Sequence, residues 1–526
     1  MLAAMALTWV GCSGSDPDQP STTTVSQSIV VDASAVSGTL RPLWRDHYDL
    51  SFEHFNYASE PGFNAVLADL APRSWRCSIG RWEVGFPPPA GADSLDPGVL
   101  ATIDREFYRG PPTMIGADDP LNYDFTYVDA LLGGLVAQGV EPFLCFDYMP
   151  FTLAAEQDPA NLNNANVHSP GTPYSTLSFS NGIRTSPPSD NAVYARVVRN
   201  AMRHARGLFA GTTDFGVEWF EVGNEPDLED ASGGALPYFW TGTEQQFYDM
   251  YSAVAAEVDA DPLLTGQVQL GAGSFAFIPS MTGTVFLQAF LTRVAAGSPR
   301  IDYFSIHSYG DRPEDHLAKF MLMQAFTAAA GLGAPWVNAE WGRNLDGTEP
   351  AYDNIEHGLL RAKVLGLMQI FPFVIAHEAL LRDPGTSGGE LGLIKTGPPA
   401  HKPVSRVYQT LNGLSAADQA LAVTTNTGDL YVVAGADVAD TRVVVTVIVD
   451  EPAAGTRTRI ALETQGLPWG TGSYDAELAK VTQSTSGSGG PAEVVSTTVG
   501  SGGSDVTTFD VPSGSAGLYV LTLTEQ

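Results

Sequence analysis

Between residues 40 and 415, eight short β-prone runs alternate with longer stretches of helical period. The runs lie near Tyr48–His54, Ser74–Ile79, Pro142–Tyr148, Val217–Val222, Val268–Ala272, Tyr303–His307, Trp336–Ala339 and Leu367–Ile375. Helical patterns fall between them at Phe125–Val136, which Asp124 can cap, and at Asp190–Leu208, Glu244–Val258 and Phe286–Ala296. Such alternation implies parallel strands covered by helices, and eight repeats favour closure into an α/β barrel. An open doubly wound sheet is the alternative, but no glycine-rich phosphate loop follows an early strand.

The chain has 526 residues, and a barrel needs only about 250 or more. A second module is therefore expected. After residue 416 the pattern becomes purely strand-like, as in Thr441-Arg-Val-Val-Val-Thr-Val-Ile-Val449 and Gly517-Leu-Tyr-Val-Leu-Thr-Leu-Thr524. We read residues 41–415 as a (β/α)8 TIM barrel and 416–526 as an accessory β-sandwich. The Ser28-Ile-Val-Val-Asp32 run, within a 28–40 segment, is expected to join that sandwich. Residues 13–27, rich in Ser, Thr, Asp and Pro, read as a tether.

Residues 1–12 are apolar up to Gly11-Cys12-Ser13 and resemble the end of a bacterial lipoprotein signal, with Cys12 as the lipidated residue. An ordinary cleaved signal or an unstructured tail is the alternative. The expected location is the bacterial cell envelope or the exterior, with a possible membrane tether through Cys12. No apolar run approaches the ~20 residues of a membrane span. A formal charge of −32 argues against nucleic acid as a partner. Cys77 and Cys145 sit in strand-like runs and read as buried thiols, or as a bridge if their strands adjoin. No His/Cys spacing suggests a metal site, and no cofactor is expected.

Two of the strand-like runs end in glutamates. Glu225 closes Val217-Glu-Trp-Phe-Glu-Val-Gly-Asn-Glu-Pro-Asp227, and Glu340 lies in Ala334-Pro-Trp-Val-Asn-Ala-Glu-Trp-Gly342. Barrel enzymes place catalytic groups at strand ends, and a carboxylate pair is what hydrolysis of a glycosidic bond needs. Pro226 ends the strand, and Asn224 can bond a sugar hydroxyl beside the reacting carbon. His307 and Tyr309 share one strand face, from which Tyr309 could orient a nucleophilic carboxylate. Arg76 could hold that carboxylate ionised. Trp341 offers a stacking face for a sugar. His54 and Tyr148, at the ends of their runs, are further substrate-binding candidates. The blander reading of each glutamate is a helix cap for Glu225 and a core ion pair with Arg343 for Glu340.

These residues occur in stretches that resemble glycoside hydrolase family 39, which holds β-xylosidases and α-L-iduronidases within a clan of (β/α)8 retaining glycosidases. The similar stretches are Tyr123-Asp-Phe-Thr-Tyr-Val-Asp129, Gly139-Val-Glu-Pro-Phe-Leu-Cys-Phe-Asp-Tyr-Met-Pro150, Trp219-Phe-Glu-Val-Gly-Asn-Glu-Pro-Asp227 and Tyr238-Phe-Trp240. Asp302-Tyr-Phe-Ser-Ile-His-Ser-Tyr309, Ala339-Glu-Trp341, Gly392-Leu-Ile-Lys-Thr396 and Lys402-Pro403 follow in the family's order. The resemblance implies that Glu225 is the acid/base and Glu340 the nucleophile. It also implies an amino-terminal strand in the accessory sandwich. The chain departs from the family at Gly223, where a Trp is usual, and at Ile375-Ala-His-Glu-Ala379, which lacks the Trp common in the clan. His377 or Glu378 is the candidate to face the sugar there.

The expectation is a retaining exo-glycosidase acting on a glycoside, oligosaccharide or polysaccharide, with carboxyl groups about 5–5.5 Å apart. The alternatives are an endo-acting glycanase of a sister barrel family and a surface carbohydrate-binding protein without catalysis.

Overall fold

Helices begin where the sequence supplies side chains to cap them. Asp190 accepts hydrogen bonds from the Ala192 and Val193 amides, at 2.8 and 3.2 Å, and opens the helix Asn191–Ala205. Thr243 and Gln246 form a reciprocal capping box that opens Glu244–Asp259. Asp124 accepts from the Thr126 amide just before Thr126–Val136. The fourth expected helix runs Met281–Gly297, five residues earlier at its start than its apolar pattern suggests.

In this computed structural model, the residues described are 23–48, 61–79, 107–155, 185–228, 239–276, 281–343, 354–379, 392–482 and 492–526, apart from 109, 148, 210, 397–398, 428–429 and 438–441. His54, Tyr148 and Cys12 lie outside them.

Strand β1 spans Thr23–Thr39. The strands β2 (Asp46–Tyr48), β3 (Ser74–Ile79), β4 (Glu141–Phe146), β5 (Trp219–Val222), β6 (Gln269–Phe275), β7 (Tyr303–Tyr309), β8 (Trp336–Gly342) and β9 (Phe373–Ala379) follow. β2 to β9 close in that order into a barrel, each neighbouring pair parallel. Every residue of β3 and β8 is buried, as parallel strands covered by helices require. Phe143, Tyr303, Val337, Ala339 and Ile375 form one buried cluster drawn from four strands, which fills the barrel interior.

The expected last barrel strand is corrected. Leu367–Gln369 finish the helix Ile355–Gln369, and the strand starts only at Phe373. The apolar run is continuous, but Ile370 and Phe371 carry the chain round the helix end with a backbone bond from Ile370 to Leu367. The first barrel strand already begins at Asp46, and residues 49–54 of its expected run lie outside the described residues.

A short hairpin, β10 (Ile394–Thr396) with β11 (Pro399–His401), precedes the second unit. That unit begins at Gln419 and takes in the amino-terminal segment through Gly38. Its strands are β12 (Gln419–Thr425), β13 (Tyr431–Asp437), β14 (Arg442–Val449), β15 (Thr456–Gln465), β16 (Ser473–Thr482), β17 (Glu493–Ser501), β18 (Ser504–Pro512) and β19 (Gly517–Glu525). With β1 they form one sheet, ordered β17-β16-β19-β14-β13-β12-β1-β15-β18. Residues from β1, β12 to β16, β18 and β19 share a single buried cluster, so the sheet folds its apolar face onto itself, as a sandwich does. β1 pairs in parallel with β15, Ile29 opposite Leu462, and its inward Ile29 and Val31 are fully buried. It begins at Thr23, so residues 23–27 are strand and not tether.

Cys77 and Cys145 are buried free thiols. Their strands are neighbours, but Cys77 pairs with Leu144 and Cys145 with Ser78. One step of register places the two thiols on opposite faces of the sheet.

Candidate active site

Glu225 stands three residues beyond β5, where the backbone turns sharply. Gly223 has φ +85° and Glu225 itself φ +43°, a left-handed conformation that costs a non-glycine residue. The turn is pinned at both ends: the Gly223 amide donates to Phe146 O at 2.7 Å and the Glu225 amide to Ser274 O at 3.1 Å. A side chain could not replace the hydrogen of Gly223, because a Cβ there would lie 2.6 Å from the Phe247 ring.

Glu340 owes its direction to a β-bulge. Ile306 pairs with Asn338, but His307 pairs with Glu340, so Ala339 is an extra residue on β8. Val337 and Ala339 already point into the barrel, and strict alternation would send Glu340 outward. The bulge re-aims it inward. Asn338 braces the bulge when its amide is turned so that nitrogen donates to Glu340 O and Ile306 O, at 3.0 and 3.1 Å.

The two glutamates meet across His307. Its Nδ1 lies 2.6 Å from Glu225 Oε1 and 3.6 Å from Glu340 Oε2. Tyr309 donates its hydroxyl to Glu340 Oε2 at 2.8 Å. Burial, reinforced by Glu340 and Glu225, raises the Tyr309 phenol well above its ordinary range and keeps it a donor. Arg76 donates from Nη1 to Glu340 Oε1 at 2.8 Å. Its Nη2 reaches Glu221 Oε2, Asn224 Oδ1 and Ser274 Oγ at 2.8, 2.8 and 2.9 Å, and its Nε reaches Glu221 Oε2 at 3.1 Å. Burial alone would lower the Arg76 pKa; Cys145, Glu221, Glu340 and Tyr48 around it raise it well above the ordinary value, so it stays a cation.

Because Arg76 only donates, the oxygen of Asn224 must face it. The Asn224 Nδ2 is left as a donor with no hydrogen-bond partner among the described residues.

The structure thus brings together Glu225, Glu340, Asn224, His307, Tyr309 and Arg76. It separates three other candidates from them. Trp341 follows Glu340 directly and so points to the outer face, fully buried, donating to Ala376 O at 3.0 Å and packing edge-on against His316. Glu378 is also fully buried and ion-paired with Arg361 of the helix Ile355–Gln369; burial pushes its carboxyl up to about 8. His377 points inward but lies deeper in the barrel, bonded to Ser74 Oγ at 2.7 Å and set edge-on to Phe143. All three are fully buried. Arg343 pairs with Asp311 at 3.0 Å and not with Glu340.

Two residues of the cluster escaped the sequence reading, Glu221 and Ser274. A glutamate inside an otherwise apolar strand is a signal for the first. Ser274, at φ +34° after Gly273 at +88°, faces Arg76 through a register shift in β6 that sequence periodicity does not reveal.

Ligand atoms of Glu225, His307 and Glu340 lie within 4.8 Å of one another, close enough to share a cation. The guanidinium bonded to Glu340 opposes that use, since it already supplies positive charge at the same carboxylate. The arrangement serves proton transfer and nucleophilic attack better: one carboxylate is held by neutral or cationic donors, and the other is hydrogen-bonded to an imidazole.

A closed parallel barrel with paired carboxylates at its C-terminal strand ends is the architecture of a large class of glycosidases. The model of the glycosyl hydrolases family 39 matches residues 107–333. A β-xylosidase of Caldicellulosiruptor saccharolyticus is 25% identical over 195 residues, which are 36% of this chain and 32% of that protein. The match therefore spans about a third of the length of that relative. The family 39 enzyme from Xanthomonas axonopodis pv. citri superposes with a TM-score of 0.66 at 17% identity, covering 94% of this chain and 97% of the other. A monomeric β-xylosidase from Caulobacter crescentus does so with a TM-score of 0.65 at 16% identity, covering 94% and 99%. Over residues 107–333 the chain is thus similar to glycoside hydrolase family 39, and its barrel has the fold of solved members of that family.

Proposed function

We propose that this protein is a retaining glycosidase of the β-xylosidase kind. The observation that carries the reading is the Glu225–His307–Glu340 contact, which holds two carboxylates with oxygens within 4.8 Å of each other. Double displacement uses carboxyl groups about 5–5.5 Å apart, whereas inversion needs about 6.5–9.5 Å to admit a water.

In the first step, a Glu340 oxygen attacks the anomeric carbon as the bond from that carbon to the leaving oxygen breaks. The leaving oxygen keeps the electron pair and takes the proton of the Glu225 carboxyl. In the second step, water attacks the same carbon and gives its proton to the Glu225 carboxylate, and the ester bond to Glu340 breaks. Arg76 and Tyr309 hold Glu340 before and after attack. Asn224 presents its amide NH₂ group to the sugar 2-hydroxyl, where a bond tightens in the transition state.

The relatives' names point to the sugar: β-xylosidases from two organisms, and a glucosidase from Croceicoccus marinus with a TM-score of 0.65 at 17% identity. A β-xyloside is our first choice of substrate and a β-glucoside the second. Export, with anchoring through Cys12, is the proposed location. A panel of aryl xylosides, glucosides, arabinosides, galactosides and uronides tests the substrate. Proton NMR of the first-formed sugar tests the mechanism: the substrate's own anomer is expected, and net inversion would overturn Glu340 as nucleophile.

A further inference from the structure

Arg76 meets two buried carboxylates, and the reaction above uses only one of them. Glu221 is completely buried on β5 and takes both Nε and Nη2 of the guanidinium, at 3.1 and 2.8 Å. Glu340 takes Nη1. The reaction changes the charge of Glu340, which is an anion in the free enzyme and a neutral ester in the intermediate. A guanidinium does not lose its proton in compensation. With Glu340 as its sole anion, Arg76 would become a buried, unpaired cation whenever the intermediate formed.

We propose that Glu221 is a positioning residue of this site, the permanent counter-ion that keeps Arg76 paired while Glu340 passes between anion and ester. The inference rests on the retaining reading. Of the other titratable groups facing Arg76 and the two carboxylates, four carry no charge near neutral pH. Cys145 from β4 and Tyr303 and Tyr309 from β7 are raised well above their ordinary values, mainly by burial. His377 from β9 is lowered well below its own, also by burial first. Tyr48 from β2 lies under the guanidinium with its ring centroid 5.0 Å away. Glu225 and His307 face Glu340 from the other side, hydrogen-bonded to each other.

Two consequences have opposite signs. Without the Glu221 charge, Arg76 binds the Glu340 anion more tightly, so attack slows. The intermediate, now beside an orphaned cation, breaks down faster, because its transition state restores negative charge to Glu340.

The test compares wild type, Glu221→Gln and Glu221→Asp. The first readout is kcat/KM against pH on the best aryl glycoside. The second is the reactivation rate of the adduct formed with the matching 2,4-dinitrophenyl 2-deoxy-2-fluoro-glycoside, followed by intact mass. Glu221→Gln is expected to lower kcat/KM about 100-fold and move its acidic limb to lower pH, while reactivation accelerates about tenfold. Glu221→Asp keeps the charge and should move both readouts less, in the same directions. A folded Glu221→Gln enzyme with both rates lowered, or with an unmoved acidic limb, overturns the proposal. If Glu221→Gln does not fold, Glu221→Asp decides alone, and a folded Glu221→Asp enzyme with kcat/KM and reactivation both lowered overturns the proposal. Absence of any adduct in wild type overturns the retaining reading itself, and this inference with it.

Discussion

Each side of Glu340 is held by a different donor, Arg76 on Oε1 and Tyr309 on Oε2, while Glu225 is hydrogen-bonded to the His307 imidazole. The two glutamates should therefore fail differently when removed. Glu340→Gly is expected to abolish turnover, and added azide should yield a glycosyl azide of inverted anomeric configuration. Glu225→Ala should lose about 10²–10⁴-fold on glycosides with poor leaving groups and far less on dinitrophenyl glycosides. Azide should then give a product of retained configuration. NMR of the azide products checks both. The glutamates were legible in the sequence because each closes a strand-like run, and strand ends form the open face of a barrel. Trp341 and Glu378 lie away from the cluster for a reason of parity. Trp341 neighbours a residue that the bulge at Ala339 turns inward, so it must face outward. Glu378 likewise neighbours the inward His377. A bulge is one residue of extra backbone, and hydrophobic periodicity carries no mark of it.

At the scale of elements, the site depends on backbone that side-chain pattern does not specify. Gly273 has φ +88°, and a Cβ there would lie 2.5 Å from the Phe275 ring. Gly273→Ala should cost about 1–3 kcal/mol of stability and also reduce kcat, because the same bend presents Ser274 to Arg76. Asp190→Ala removes a helix cap remote from the cluster and should cost about 1 kcal/mol with kcat unchanged. Thermal unfolding together with initial rates separates the two cases. The capped helices were readable because caps are local chemistry. The start of β9 was not, because apolar residues continue through the turn before it.

Across the whole molecule, several buried histidines make stability depend on pH. Burial pushes His47 down to about 3 and His316 down to about 4, and holds His377 well below its ordinary value. In the unfolded chain they take up protons below about pH 6.5. The unfolded state then binds more protons than the folded one, so stability is full above about 6.5 and falls as the pH drops toward 4. The expected slope is about 1.4 kcal/mol per pH unit for each histidine involved. Urea unfolding at pH 7, 6 and 5 measures it, and His316→Asn should make it shallower. A second prediction concerns the sheet unit. Removing residues through Gly38 takes β1 from between β12 and β15, and calorimetry of that variant should show the loss of one cooperative transition.

The place of β1 has a consequence in time. Thr24 on β1 is bonded by Arg457, 433 residues later in the chain. At roughly 5–20 residues per second, a ribosome needs tens of seconds to a minute or more to make the partner strand. The barrel strands are all synthesised within that interval. β1, made before every barrel strand, is thus among the last to find its neighbours, and a chain interrupted before β12 would carry β1 without either of its partner strands. Synthesis order and assembly order run opposite ways in this protein, and β1 is the segment on which chaperones or proteases have longest to act.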